Sequence, residues 1–167
     1  MALSKPLCGI LSVGIRKERA AHDFYVHAAG NTKHPLGKKM FDRLAGEEAK
    51  HEELLKGWSA AGACPTGARF PAPDSDLLKR GHAKVNKIVK PATGDLEAIE
   101  IGRTMEREAI RFYADGAAKA DDQASKDLLL RLRAEEDKHL ALLTDLYEYM
   151  RDPNLWSVRD EKAHFDS

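Results

Sequence analysis

The sequence contains one short motif twice, and this repetition constrains the fold more than any other feature. Glu48 stands three residues before His51, and Glu136 stands three residues before His139. Each pair lies inside a longer matching stretch, LAGEEAKHEELL in the first case and LRAEEDKHLALL in the second. A spacing of three places a glutamate and a histidine on one face of a helix. A single pair of this kind is common on helix surfaces, but two matched copies require a shared explanation.

A second motif precedes each copy of the first. The stretch ERAAHDFY begins at Glu18, and the stretch EREAIRFY begins at Glu106. These two stretches are 88 residues apart, and the two E-x-x-H pairs are separated by the same distance. Residues 14–58 therefore align with residues 102–146 without an insertion, which indicates an internal duplication.

Composition narrows the possible partners. A chain of 167 residues suits one domain with a sizeable core. Its 27 basic residues balance its 27 acidic residues, so no net charge attracts nucleic acid or an anionic membrane. No apolar run approaches the ~20 residues that span a bilayer, and the apolar stretch PLCGILSVGI lacks a following cleavage site. We therefore predict a cytoplasmic protein with no nucleic-acid partner and no membrane partner.

The chain has two cysteines, Cys8 and Cys64. Two thiolates are too few for a metal site with four cysteine ligands. The cysteines fall near the same end of a predicted helical hairpin, so a disulfide is geometrically possible. Because cytosolic cysteines are normally reduced, we expect two free buried thiols.

Apolar residues recur at steps of three and four in four segments, which predicts four helices. Gly30 and Asn31 form a stop signal after the first helix. The predicted helices run from about Pro6 to Ala29, Pro35 to Ala61, Asp95 to Ala120 and Asp122 to Arg151.

Short connections make two antiparallel hairpins from these helices, and one long connection joins the hairpins. The long connection covers residues 63–94, is expected to contain a short helix, and can cross between the two ends of a bundle. We assign residues 1–151 to one all-α four-helix bundle and residues 152–167 to a C-terminal tail, anchored by Trp156 and Phe165.

The four glutamates of the motifs are predicted to lie at one level of this bundle. Each is about thirteen or fourteen residues from its hairpin turn, which is ~20 Å at ~1.5 Å per residue. Burying such carboxylates alone costs several kcal/mol each. Two divalent cations would balance the four negative charges, and the two histidines would bind as neutral imidazoles. Glutamate oxygens with imidazole nitrogens suit iron, manganese or zinc, and this pattern is typical of di-iron and di-manganese carboxylate proteins.

The stretches ERAAHDFY, RLAGEEAKH, EREAIRFY and RLRAEEDKH together resemble the rubrerythrin-like branch of the ferritin-like superfamily. The resemblance covers roughly residues 10–150 and implies a ferritin-like four-helix bundle with two iron ions, for which manganese or zinc can substitute. It implies that Glu48 and Glu136 bridge the ions and that Glu18 and Glu106 bind terminally. The implied ligand set is Glu18, Glu48, His51, Glu106, Glu136 and His139.

Two features depart from the rubrerythrin pattern. Rubrerythrins proper carry a rubredoxin domain with an iron held by four cysteines, and this chain has neither the room nor the thiols for one. They also place an extra glutamate three residues after the third-helix ligand, where this chain has Ala109. Its absence counts against peroxide reduction and moves the site towards the six-ligand pattern of bacterioferritin.

Four further residues are candidates for tuning the site. Tyr25 and Tyr113 can hydrogen-bond to ligand carboxylates, or they can be core tyrosines whose hydroxyls find other partners. Glu47 and Glu135 can accept the free N–H of a ligand histidine on a neighbouring helix, or they can lie on solvated flanks. The sequence leaves both choices open.

His22 stands one turn after Glu18, and Ile110 replaces it in the second repeat. It is either a seventh ligand or proton carrier beside an asymmetric site, or a core histidine with an ordinary partner.

The sequence thus favours a non-haem di-iron oxidoreductase that oxidises Fe(II) with O2 or hydrogen peroxide. Turnover would require electrons from a separate protein such as a rubredoxin. The alternatives are an iron-binding or storage protein of the ferritin type and a dinuclear metal-binding protein without turnover. We expect a homo-oligomer, with a dimer as the first hypothesis.

Overall fold

The computed structural model describes residues 2–65 and 94–152, and these segments form four long helices. The predicted short helix in the long connection and the predicted anchors Trp156 and Phe165 lie outside the described residues. The helices are α1 (Lys5–Asn31), α2 (Pro35–Ala61), α3 (Asp95–Lys119) and α4 (Gln123–Arg151).

Side chains and prolines at the helix ends explain these boundaries. Ser4 precedes α1, and its hydroxyl accepts from the Leu7 backbone N–H at 3.4 Å. Asp122 precedes α4, and its carboxylate accepts from the Ser125 N–H at 2.8 Å. Such caps satisfy backbone donors that have no partner inside the helix. The first turns of α1 and α2 each contain a proline, which lacks a backbone N–H.

The first helix ends two residues later than the sequence predicts. Gly30 does not stop α1, and the side-chain amide of Asn31 reinforces the last turn by donating to the His27 carbonyl at 2.8 Å. The Thr32 N–H donates to the Ala28 carbonyl at 2.9 Å and closes the helix.

The helices pack as two hairpins, α1 with α2 and α3 with α4, which confirms the predicted four-helix bundle. The described core has two apolar clusters. One combines the C-terminal half of α1 with the N-terminal half of α3, and the other combines their opposite halves, so these two helices are antiparallel. The end of α2 and the start of α3 consequently lie at opposite ends of the bundle, as the crossover hypothesis requires.

The clusters separate cleanly along the bundle. We call the first the upper cluster and the second the lower cluster. Buried members of the upper cluster include Phe24, Phe41, Leu44, Ile99, Leu143 and Leu146. Buried members of the lower cluster include Leu7, Leu11, Leu55, Leu128, Leu129 and Leu132. No apolar stretch long enough to cross a bilayer occurs in the four described helices.

The prediction of two free thiols is wrong, because Cys8 and Cys64 form a disulfide. The α1–α2 hairpin brings their Cα atoms to 5.4 Å, inside the range that a disulfide spans. The Leu3 N–H also donates to the Gly62 carbonyl at 2.9 Å, which fixes the segment before α1 against the end of α2. The prediction relied on the expected compartment, whereas geometry decides the pairing. Cytoplasmic location itself stays a prediction.

Removing the disulfide should destabilise the protein. The two cysteines are 56 residues apart, and cross-linking a loop of that length removes unfolded-chain entropy worth about 4 kcal/mol in the chain-entropy model. Urea unfolding of the double variant Cys8→Ser/Cys64→Ser should therefore show a lower free energy of unfolding than that of the oxidised wild type. A thiol reductant should destabilise the wild type and leave the double variant unchanged. Equal stability of oxidised and reduced wild type would contradict this account.

Candidate metal centre

Six polar side chains lie together between the two apolar clusters. The four glutamates are at most 2% exposed, His139 is 2% exposed and His51 is 9% exposed. Glu18 and Glu48 occupy the midpoints of their helices, with thirteen residues on either side. The remaining members, Glu106, Glu136 and the two histidines, reach the same layer from α2, α3 and α4.

The ligand atoms fall into two overlapping groups of four, each within 4.8 Å. One group joins Glu18 and His51, and the other joins Glu106 and His139; Glu48 and Glu136 belong to both. The shared pair is the pair that the resemblance assigns as bridging. The structure thus brings together all six residues that the sequence singled out as ligands.

Each histidine turns the same nitrogen towards the shared carboxylates. The Nδ1 atom of His51 is 3.0 Å from Glu136 Oε1. The Nδ1 atom of His139 is 2.9 Å from Glu48 Oε1 and 3.1 Å from Glu136 Oε2. The two imidazole rings stack with their centroids 5.5 Å apart. The outer nitrogen of each ring, Nε2, therefore points away from the layer.

The donor atoms at the centre of the layer suit metal ions. Both carboxylate oxygens of Glu48, one oxygen of Glu136 and Nδ1 of His51 have polar neighbours within ion-pair distance, but none of them makes a hydrogen bond of normal geometry within the described residues. Buried polar atoms are normally paired, so unpaired ones require an explanation. Oxygen and imidazole donors in two groups that share two carboxylates fit two divalent cations such as iron, manganese or zinc.

The sequence comparisons agree with this geometry. A family model described as rubrerythrin matches residues 9–147, which include all six residues of the layer. The chain belongs to the rubrerythrin family. A hypothetical protein from Pyrococcus furiosus shares the fold, with a TM-score of 0.68 and 23% identity over 87% of this chain and 90% of that one. No curated protein sequence matches significantly. Family membership and the buried Glu and His groups together indicate a dinuclear metal site.

Burial controls the protonation of the rubrerythrin-family centre. It raises the pKa of Glu18 and of Glu106 well above the ordinary glutamate value, and neighbouring carboxylates add to the rise. Burial alone would lower the pKa of His51, but contacts with Glu136, Glu18 and Glu48 outweigh it and raise that pKa to about 12. The pKa of His139 is raised for the same reason.

The two tyrosines that are candidates for tuning the site contact its glutamates across the repeats. The Tyr25 hydroxyl donates to Glu106, and the Tyr113 hydroxyl donates to Glu18. Both rings are fully buried, and each tyrosine lies on a different hairpin from its glutamate. Burial raises the pKa of both phenols well above the usual value, so they keep their protons and act as donors. Each repeat therefore positions a carboxylate of the other.

Two glycines that the sequence analysis missed make room for these tyrosines. A Cβ at Gly102 would lie 3.2 Å from the Tyr25 ring, and a Cβ at Gly14 would lie 3.6 Å from the Tyr113 hydroxyl and 3.0 Å from Leu55. Each glycine stands four residues before the motif glutamate of its own helix. The two glycines are 88 residues apart, which is the offset between the repeats, so a position-by-position comparison of the repeats identifies them.

Glu47 and Glu135, the other tuning candidates, differ from each other. Glu47 Oε2 lies 2.7 Å from His139 Nε2, in the neighbouring hairpin. Glu135 Oε1 instead accepts from Lys138 Nζ at 2.9 Å. Within residues 2–65 and 94–152, no hydrogen bond joins Glu135 to His51.

His22 lies outside the layer. Its Nδ1 is 3.1 Å from Asp23 Oδ1, its side chain is 36% exposed, and neither group of ligand atoms includes it. A contact that the sequence did not reveal lies closer to the site: Arg19 Nε donates to Glu52 Oε1 at 2.9 Å and links α1 to α2. Glu52 is 8% exposed and follows His51 directly, so this ion pair helps to fix the helix that carries a ligand histidine.

Metal binding should release protons and strengthen as the pH rises. The raised pKa values keep both histidines protonated near neutral pH until an ion displaces their protons, and imidazole binds metal only when neutral. Zinc affinity should increase about tenfold per pH unit for each proton released, between about pH 6 and about pH 8. Calorimetry in buffers of different ionisation enthalpy counts the protons. Affinity that stays constant across this range would show that binding displaces no proton, and would contradict the raised pKa values of the two histidines.

Removing either tyrosine hydroxyl should destabilise the bundle by a similar amount. Tyr25→Phe and Tyr113→Phe each take a donor from a buried carboxyl group, which costs about 1–3 kcal/mol. Urea unfolding of the metal-free protein measures the loss. Tyr147→Phe is the matched control, because it keeps an aromatic ring over Arg103 and touches no ligand. Wild-type stability in both site variants would refute the role of these hydroxyls.

Proposed function

We propose that this protein is a non-haem di-iron oxidoreductase of the rubrerythrin type, which oxidises Fe(II) with O2 or hydrogen peroxide. The observation that carries the proposal is the pair of overlapping ligand groups, which share Glu48 and Glu136 in a buried layer. Two ferrous ions bound there would supply two electrons, which with two protons reduce O2 to hydrogen peroxide or reduce peroxide to two waters.

The chain's own residues provide the setting for this chemistry. The four carboxylates match the charge of two divalent ions, and the two tyrosines hold Glu18 and Glu106 in place. The apolar clusters above and below the layer exclude bulk water from those two sides. Electrostatic interactions are stronger in such a water-poor interior, so the ligands keep a fixed geometry around the reacting groups.

Position 109 favours O2 over peroxide as the oxidant. Ala109 packs against the lower cluster and offers no carboxylate, so the layer keeps six protein ligands. A separate electron-transfer protein such as a rubredoxin would return electrons to the centre in a catalytic cycle.

An anaerobic ferrous titration followed by a pulse of oxidant tests the proposal. The metal-free protein should bind two Fe(II) per chain and then consume oxidant in proportion to the iron oxidised, with a transient absorbance change. O2 should react faster than hydrogen peroxide. The double variant Glu48→Ala/Glu136→Ala should lose paired-metal binding, because both groups lose their shared ligands.

Three outcomes would change the conclusion. Binding of two ions without consumption of oxidant would leave a metal-binding protein and remove the oxidoreductase proposal. Retention of thousands of iron atoms per particle would favour storage. Two ions bound by the double variant would refute the ligand assignment.

A further inference from the structure

The duplication offers each ligand histidine an equivalent glutamate that its outer nitrogen could contact. In both repeats a glutamate directly precedes the bridging glutamate, and an arginine stands four residues before that first glutamate. Because the hairpins pack against each other, the duplication predicts that each such glutamate contacts the histidine of the other repeat. The two equivalent sets are Arg43, Glu47 and His139, and Arg131, Glu135 and His51.

The set around His139 is complete, because Glu47 contacts both His139 and Arg43. Glu47 Oε2 lies 2.7 Å from the outer nitrogen of the ring, and Glu47 Oε1 accepts from Arg43 Nε at 3.1 Å. Both carboxylate oxygens are thereby engaged. His139 is consequently held from both sides, with its inner nitrogen on the ligand carboxylates and its outer nitrogen on Glu47.

The set around His51 is incomplete, because Glu135 makes no hydrogen bond to His51. Its expected partner, Glu135, is engaged by Lys138, and the ring lines a cavity of about 310 Å³ between α2 and α4. The inner nitrogen of His51 lies 3.0 Å from Glu136, so the outer nitrogen points towards this cavity. The cavity walls also include the exposed side chains of Lys50 and Arg131, and Glu47, which lies between the cavity and the outer nitrogen of His139. Solvent can therefore reach the back of this ligand.

We infer that the two metal positions differ in affinity, and that the ion held through His51 is the one that exchanges with solvent. The types of direct ligand do not explain the difference, because each position has three glutamates and one histidine. A difference in the contacts of the two outer histidine nitrogens does explain it. A carboxylate on the distant nitrogen of a ligand histidine fixes the ring and raises its basicity, and losing such a partner typically weakens metal binding 10–100-fold.

This inference rests on the dinuclear centre proposed above, and one experiment separates the two. Cobalt(II) is titrated anaerobically into the metal-free protein, with the absorption spectrum reporting each ion that binds. The wild type should bind two ions in steps whose affinities differ about 10–100-fold, beyond the statistical separation of two identical sites. Addition of a chelator should then remove one cobalt quickly and the other slowly.

Glu47→Gln and Glu135→Gln form a matched pair of variants. Both residues are partly exposed, both occupy the same repeat position, and the substitution keeps the side-chain shape. Glu47→Gln should weaken the tighter step about tenfold or more and bring the two steps together. Glu135→Gln should leave both steps within about twofold of the wild type, because its carboxylate contacts neither histidine.

The possible failures are distinguishable. If fewer than two cobalt ions bind to the wild type, the dinuclear centre itself is wrong, and the inference falls with it. If two ions bind with the statistics of identical sites, only the inference is overturned. If Glu135→Gln weakens binding as much as Glu47→Gln does, the inference is again overturned and the dinuclear centre stands.

Discussion

Four carboxylates in an apolar interior repel one another and lose their hydration, and the rest of this structure is arranged around that fact. Each costs several kcal/mol to bury without compensation. The bundle collects them in one layer at mid-height, so the apolar side chains form two clusters instead of one continuous core. Two histidines and two tyrosine hydroxyls supply positive charge and hydrogen-bond donors at the edges of that layer. Three carboxylate oxygens and one imidazole nitrogen at its centre, where divalent cations would bind, make no hydrogen bond of normal geometry.

Much of this arrangement could be predicted because it depends on local periodicity. A spacing of three places Glu48 and His51 on one helix face, and the equal distances of Glu18 and Glu48 from a short turn place them at one height. The helix boundaries followed from prolines and capping residues, apart from the end of α1. There, the helix continues past a glycine that normally stops one, and the side chain of Asn31 reinforces its last turn.

The features that the sequence did not predict depend on packing between segments that are distant in the chain. The sequence placed Cys8 and Cys64 near the same end of the α1–α2 hairpin, but only the packed hairpin brings their Cα atoms to the 5.4 Å that a disulfide spans. Tyr25 reaches Glu106 because α1 and α3 are antiparallel neighbours. Its position in the sequence indicated a contact with a ligand carboxylate but did not say which one. Glu47 and Glu135 differ in their hydrogen-bond partners, although their sequence surroundings nearly match. Repeated sequence therefore predicts a symmetric site, and side-chain packing breaks the symmetry.

The exchange of tyrosine contacts between the hairpins has a consequence for the origin of the fold. A single hairpin carries three of the six ligand side chains, and its tyrosine donates to a glutamate on the other hairpin. One hairpin alone can neither complete a pair of ion positions nor satisfy its own buried hydroxyl. If an unduplicated ancestor had the same centre, it must have worked as a dimer of identical hairpins. Fusion of two copies would then have freed each half to diverge, which a symmetric dimer encoded once cannot do.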